Sequence, residues 1–308
     1  ATMEWEAAGS TILEVVPPTL DSGLEGLYSR ISRVRRLVSD GDFDAVNIPE
    51  IHDEENRNDQ GIRTRQYSPR MQPRELGRRI QDELGLPVII NHVVSFKPIG
   101  ALMDWIRETV AGYGIRNIVL VGAPHERKPW PGPPVPEANA AIRTEFGKES
   151  LKIGNICIPG REGSPIPESV RMEQKALSGA DFFTTQIIYD PTEIIELRHQ
   201  MVREASPARY CPILVSLCPV RRHRNLAFLR YLGVKIPDAL EQELHALGEP
   251  ECLERSLEIL RSIQSDLIEA QGDPADVAPL GWNIAPVGQI PTASIRDLMA
   301  RLSGSVRS

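Results

Sequence analysis

Short apolar runs alternate with amphipathic helical stretches along the whole chain, and this alternation restricts the fold more than any other feature. Strand-like runs fall at residues 11–16, 45–48, 86–91, 117–121, 152–158, within 179–190, and at 212–218 and 279–284. Helical spacing or composition marks 24–38, 73–84, 100–113, 137–147, 168–178, 192–204, 225–231, 237–247, 251–271 and 294–302. Strands that alternate with helices in this way pair in parallel, and eight units close a sheet on itself. The expected fold is α/β, a (β/α)8 TIM barrel. It occupies 1–308 as one domain, with a helical insertion around 237–271 before the last strand. A doubly wound open sheet fits less well, because no Gly-x-Gly-x-x-Gly follows any strand.

One repeat unit shows where chemistry belongs. Good helix formers over 168–178 stop at Gly179, and Phe182, Phe183, Thr184 and Thr185 then read as a buried strand ending on Gln186. Asp190 and Pro191 signal the start of the next helix. Barrel enzymes carry their reactive groups at the C-terminal strand ends, so Gln186 is a candidate to touch a ligand. The same position also suits a residue that merely ends a strand. Other strand ends give Glu14, Asn47 with Glu50, Asn91 with His92, Arg161, Ser216 and Asn283. Glu14 lies in an apolar run, where a carboxyl is costly unless paired or used. His92 also suits a satisfied core histidine, and Arg221-Arg222-His223-Arg224 also suits a solvated turn.

This set is rich in amides and poor in metal ligands, which argues against a metal site. There is no nucleophile elbow, and no lysine ends a strand to form a Schiff base. One carboxyl, several amides and some arginines describe a site that holds a polar planar ligand and hands it a proton. The net charge of −7 argues against nucleic acid as a partner. No apolar run approaches the ~20 residues that cross a bilayer, and the N-terminus does not resemble a signal peptide. Cys157, Cys211, Cys218 and Cys252 lack metal-ligand spacing, so free thiols in a cytoplasmic protein are expected. Two loops stand out: a polar one at 52–69, and one at 128–136 that holds five prolines.

With the strand ends laid out, the chain resembles the methylenetetrahydrofolate reductase family of (β/α)8 barrels. Leu13-Glu14-Val15-Val16-Pro17-Pro18 resembles that family's Glu-Phe-x-Pro-Pro strand, whose glutamate is the proposed general acid. Asn91-His92 resembles its third-strand histidine motif, and Gly114-Ile115-Arg116-Asn117-Ile118 its approach to the fourth strand. Glu168, Lys175 and Gly179-Ala180-Asp181, with Thr185-Gln186 and Tyr189-Asp190, are the most specific match. Pro219-Val220 and Gly233 with Ile236-Pro237 follow in register. The resemblance implies Glu14 as catalytic acid and Gln186 as a substrate-binding residue, and the strand-end reading adds Asn47 and Asn283 to the substrate side. His92, Arg161, Glu168, Lys175 and His223 are implied at the cofactor.

The departures from the family fall mainly on its flavin anchors. Val121-Gly122-Ala123-Pro124 stands where Arg-Gly-Asp is usual, Asn47 replaces a threonine, Glu162 a histidine, and His223 an aromatic residue. A tyrosine after the fourth strand has no counterpart. Each lost hydrogen bond to a charged group is worth about 1.5–3 kcal/mol, so several such losses could abolish FAD binding. The expectation is therefore a reductase that takes reduced folate and NADH or NADPH, NADH favoured, with FAD doubtful and hydride passed directly. A folate-dependent one-carbon or methyl transferase, and an inactive folate-binding protein, are the alternatives. Oligomeric state stays open.

Overall fold

The computed structural model describes residues 4–52, 67–123 and 129–306. Its strands are β1 (Thr11–Glu14), β2 (Ala45–Ile48), β3 (Val88–Val93), β4 (Asn117–Val121), β5 (Lys152–Cys157), β6 (Phe182–Ile187), β7 (Ile213–Leu217) and β8 (Gly281–Ile284). Each pairs in parallel with its sequence neighbours, and β8 closes onto β1 with Thr11 opposite Trp282. This is the (β/α)8 barrel that the alternation predicts. Around it lie α1 (Gly23–Val38), α2 (Pro73–Leu84), α3 (Ile99–Tyr113), α4 (Val135–Glu145), α5 (Glu168–Ser178), α6 (Thr192–Arg203) and α7 (Arg224–Tyr231). Two helices, α8 (Asp238–His245) and α9 (Glu249–Glu269), precede β8, and α10 (Thr292–Val306) follows it.

Alternation along each strand sorts side chains into two apolar clusters. Ile12, Ala45, Ile89, Val119, Phe182 and Leu214 form the inner one, inside the barrel, together with Trp5 and Ala7 from the N-terminal segment. Leu13, Val46, Ile90, Ile118, Ile153 and Val215 point outward into the larger cluster shared with the helices, including Leu27, Leu76, Leu102 and Ile142. Burying each such side chain contributes about 1.5–3 kcal/mol, and burial on both faces explains why the strands read as continuous apolar runs. Gly114 ends α3 in the left-handed region (φ 66°), as a C-terminal cap requires.

Trp5 stoppers the N-terminal end of the barrel. Its ring meets Phe182 edge-on at 5.2 Å, and its Nε1 donates to Ser10 Oγ at 2.8 Å. Gly281 admits this segment: a Cβ there would lie 2.5 Å from the carbonyl oxygen of Ala7.

Several boundaries differ from the sequence expectation. β1 ends at Glu14, which places that carboxyl at the strand end and not inside the strand. β3 runs two residues further than 86–91, so His92 lies within it. The proline-rich loop is shorter than 128–136, because Val135 and Pro136 open α4; proline is tolerated in a first helical turn, where its missing N–H has no intrahelical partner. Likewise α6 begins at Thr192, with Pro191 as its N-cap, and Asp190 Oδ1 accepts the Thr192 N–H at 2.9 Å. Most of the polar loop at 52–69, and Pro124, His125 and Lys128, lie outside the described residues. The four thiols are free, and Cys157, Cys218 and Cys252 are buried. Among the described residues no helix is long and apolar enough to cross a membrane.

Candidate active site

One layer above the inner cluster, the side chains facing the barrel axis change from apolar to polar. Register fixes which ones these are. Glu14 pairs with Asn47, Asn91 with Val119, and Ser216 with Asn283, each two residues beyond an inner-cluster position on at least one of the paired strands. Val121 and Ile156 pack against the inner cluster from the β4 and β5 side. The mouth is therefore polar along β7, β8, β1, β2 and β3, and apolar across β4 and β5.

Glu14 organises the polar side. Its Oε1 accepts from Asn283 Nδ2 at 3.3 Å and from Asn47 Nδ2 at 3.4 Å. Asn47 Nδ2 also reaches Asn283 Oδ1 at 3.4 Å. Asn283 Nδ2 also donates to Ser216 Oγ at 3.0 Å, and Ser216 Oγ donates to the Thr185 carbonyl at 2.8 Å. Both asparagines are 2% exposed, whereas Glu14 is half-buried. Glu14 Oε2 has no hydrogen-bond partner among the described residues. Desolvation pushes the Glu14 carboxyl above its ordinary pKa, and the Asn283 hydrogen bond offsets part of that. The result is a carboxyl that retains its proton more readily than one in water, with one oxygen uncommitted.

Gln186 sits in an irregularity of β6. Thr184 pairs with Leu214 and Ile187 with Ser216, so β6 carries one extra residue, a bulge of the kind that re-aims side chains beside active sites. Its Nε2 donates to the Leu232 carbonyl at 2.7 Å. The amide's donor end is thus committed to the chain between α7 and α8.

His92 faces away from the barrel axis, because alternation places it on the outer surface of β3. It pairs with outward-facing Leu120 and stacks on Trp105 of α3 with ring centroids 3.6 Å apart. Its Nδ1 lies 2.6 Å from Glu50 Oε2. Glu50 Oε1 takes His52 Nε2 at 2.5 Å and the Val93 N–H at 3.2 Å. Desolvation alone would raise the Glu50 pKa, but the hydrogen bonds and charges of His52 and His92 outweigh it and hold the carboxyl at about 2. Burial lowers the His92 pKa and the Glu50 contact offsets part of that; His92 Nε2 is buried without a partner among the described residues.

The remaining sequence candidates fall into two groups on the rim. At the end of β5, Glu168 accepts from Arg161 Nε at 2.5 Å and from the Ile158 N–H at 3.0 Å, while Lys175 Nζ donates to the Ile156 carbonyl at 2.7 Å. Burial lowers the Lys175 pKa. At the start of α7, His223 is exposed with its ring 4.5 Å from that of His245, and Arg221 and Arg222 pair with Glu249 at 2.7 and 3.0 Å. Among the described residues no group of three or more His, Cys, Asp or Glu could hold a metal ion.

The structure thus brings Glu14, Asn47 and Asn283 into one network and sets Gln186 at a bulge on the same rim. Sequence reasoning set Ser216, Asn91 and Glu50 at strand ends but assigned none of them a catalytic or binding role. Counting inward positions along β3 and β7 from Ile89 and Leu214 shows that Asn91, not His92, and Ser216 face the axis.

Fold and site together define a (β/α)8 barrel that carries its polar groups at the C-terminal mouth, above an apolar floor. Within that class, residues 3–268 match the family model of methylenetetrahydrofolate reductase, and the chain belongs to that family. Methylenetetrahydrofolate reductase 2 of Schizosaccharomyces pombe is 27% identical over 258 residues, which is 76% of this chain; the chain spans 36% of that protein's length. A Clostridium thermocellum protein that binds two copies of 5-methyl-5,6,7,8-tetrahydrofolic acid has the same fold. It superposes with a TM-score of 0.73 at 22% identity, over 96% of this chain and 94% of its own.

Proposed function

We propose that this barrel reduces 5,10-methylenetetrahydrofolate to 5-methyltetrahydrofolate, with hydride passing directly from NADH or NADPH, NADH favoured. The observation that carries the reading is Glu14: a desolvated carboxyl with Oε2 uncommitted, at the position of the family's general acid. Protonated Glu14 gives its proton to N10 of the folate as the N10–methylene bond breaks, which leaves an iminium at N5. Hydride from the nicotinamide then reduces that carbon to the methyl group, and solvent reprotonates Glu14. Asn47 and Asn283 hold Oε1 and so fix where Oε2 points. General acids of this kind are worth ~10²–10⁴ in rate.

The residues present do not fit a resident flavin. Lys175 and Arg161, the cations at the β5 rim, are tied to the Ile156 carbonyl and to Glu168. Val121 and Gly122 put no charge at the end of β4 where the family carries Arg-Gly-Asp, and Val135 packs within 3.4 Å of a Cβ at Gly122. The loss of these anchors also suits a folate-dependent methyl transferase, so the deciding experiment separates the two. Purified protein without added flavin is mixed with NADH or NADPH and 5,10-methylenetetrahydrofolate. Loss of nicotinamide absorbance matched one-for-one by 5-methyltetrahydrofolate supports the proposal. Folate binding without that oxidation points to a transferase or a binding protein, and activity only after FAD is added restores a flavoenzyme.

A further inference from the structure

Among the amides that face or border the mouth, Asn91 differs from the rest. Asn283 and Asn47 commit their Nδ2 groups to Glu14, and Gln186 commits its Nε2 to the Leu232 carbonyl. The Gln186 orientation is forced, because the Leu232 carbonyl can only accept. Asn91 makes no hydrogen bond at either end among the described residues. Its Oδ1 is closed off from solvent without a partner, as is the Oδ1 of Asn47 on the neighbouring strand. Buried polar atoms left this way are uncommon, and these two lie on neighbouring strands on the axis side of the barrel.

Register places Asn91 on the inner face. It pairs with Val119 of the inner cluster, two residues beyond Ile89, which itself pairs with Asn47. At about 3.3 Å per residue along a strand, Asn91 stands one inward step above Asn47, on the side of the mouth where the polar arc meets apolar Val121. A planar heterocycle in the mouth would therefore lie over Val121 and Ile156 and present its polar edge to β2 and β3.

We infer that Asn91 reads the donor–acceptor edge of the pterin ring. The amino-pyrimidinone of a reduced folate carries adjacent N–H donors and acceptors, and an asparagine amide with neither end hydrogen-bonded within the protein pairs with such an edge through two hydrogen bonds. Gln186, with its donor end engaged, offers only its Oε1. This assignment rests on the folate reading above and gives it a discriminating residue.

Affinity for 5-methyltetrahydrofolate, measured by calorimetry on the full chain, tests it. Asn91→Leu should weaken binding by at least about tenfold, since the lost amide strands ring donors and acceptors, while Gln186→Leu should weaken it less. Unaltered protein should also bind the 2-desamino-2-methyl analogue at least about tenfold more weakly than 5-methyltetrahydrofolate, and Asn91→Leu should lose that discrimination. The ligand-side comparison needs no variant to fold, and Asn91→Asp supplies a second variant that keeps an acceptor. Unchanged affinity in Asn91→Leu, or equal binding of the two ligands by the unaltered protein, overturns the assignment of Asn91 while the folate reading stands. Failure of the unaltered protein to bind 5-methyltetrahydrofolate overturns both.

Discussion

Glu14 and Glu50 stand at the ends of neighbouring strands, yet their surroundings push them in opposite directions. Glu14, on the inner face, is desolvated and meets only asparagine amides, so its pKa rises. Glu50, at the outer rim, meets two imidazoles and a backbone N–H and is held at about 2. The contrast teaches that partner type, not burial alone, decides whether a carboxyl at a barrel mouth keeps its proton. An amide network orients a carboxyl without neutralising it, which suits a proton donor. A pair of histidines fixes a carboxylate as an anion, which suits a brace between β2 and β3.

The largest expected effect breaks the inner member of this pair. Glu14→Gln should keep folate affinity and lower kcat by a hundredfold or more, within the ~10²–10⁴ range of general acids, read under saturating substrates. An unchanged kcat would reduce Glu14 to a structural residue. The same variant has a stability signature. Because the folded pKa of Glu14 is raised, the stability tied to its neutral form is complete below the unfolded pKa and is lost as pH rises through the folded one. The melting temperature of Glu14→Gln should therefore exceed that of the parent most in alkali, with the gap closing in acid.

Glu50→Gln tests the outer member, with the opposite sign. A depressed pKa contributes stability above the ordinary carboxylate range that is lost as pH falls toward about 2. The variant should melt several degrees lower than the parent at pH 7 and approach it below pH ~3. Its kcat should fall far less than that of Glu14→Gln. A loss of turnover as large as in Glu14→Gln would erase the distinction between proton donor and brace.

A finer test alters the amide network alone. Asn283→Leu removes the hydrogen bond that lowers the Glu14 pKa while keeping the site desolvated. The alkaline limb of the pH–rate profile, where Glu14 loses its proton, should move to higher pH; movement to lower pH would contradict the network's role. The smallest effect belongs to Gln186→Ala, which removes one acceptor from the ligand. At about 0.5–1.5 kcal/mol for a single hydrogen bond, the folate KM should rise about twofold to tenfold with kcat little changed. An effect confined to the nicotinamide KM would move Gln186 out of the folate site.

The barrel was legible in the sequence because strands buried on both faces leave continuous apolar runs, and β2, α2, β4 and α5 match their expected limits residue for residue. Glu14 was legible for the same reason: a carboxyl in such a run stands out. What failed to show was direction. His92 and Asn91 are adjacent in sequence and face opposite sides of β3, and only strand register decides which of them meets the axis. The bulge at Gln186 was equally hidden, since one extra residue in β6 has no composition of its own. Nor could the sequence show that the donor end of Gln186 is occupied, because its partner Leu232 is 46 residues away.

The Trp5 stopper has a consequence for traffic. With the N-terminal end of the barrel filled by Trp5, Ala7 and the inner cluster, the C-terminal mouth is the doorway left for reactants. If hydride passes without a resident carrier, reduced folate and nicotinamide must occupy that doorway together, the second closing over the first. The first reactant to bind is then also the last to leave in oxidised or reduced form. Initial-rate lines for the two substrates must intersect instead of running parallel, and an excess of whichever reactant binds second blocks the exit of the other's product.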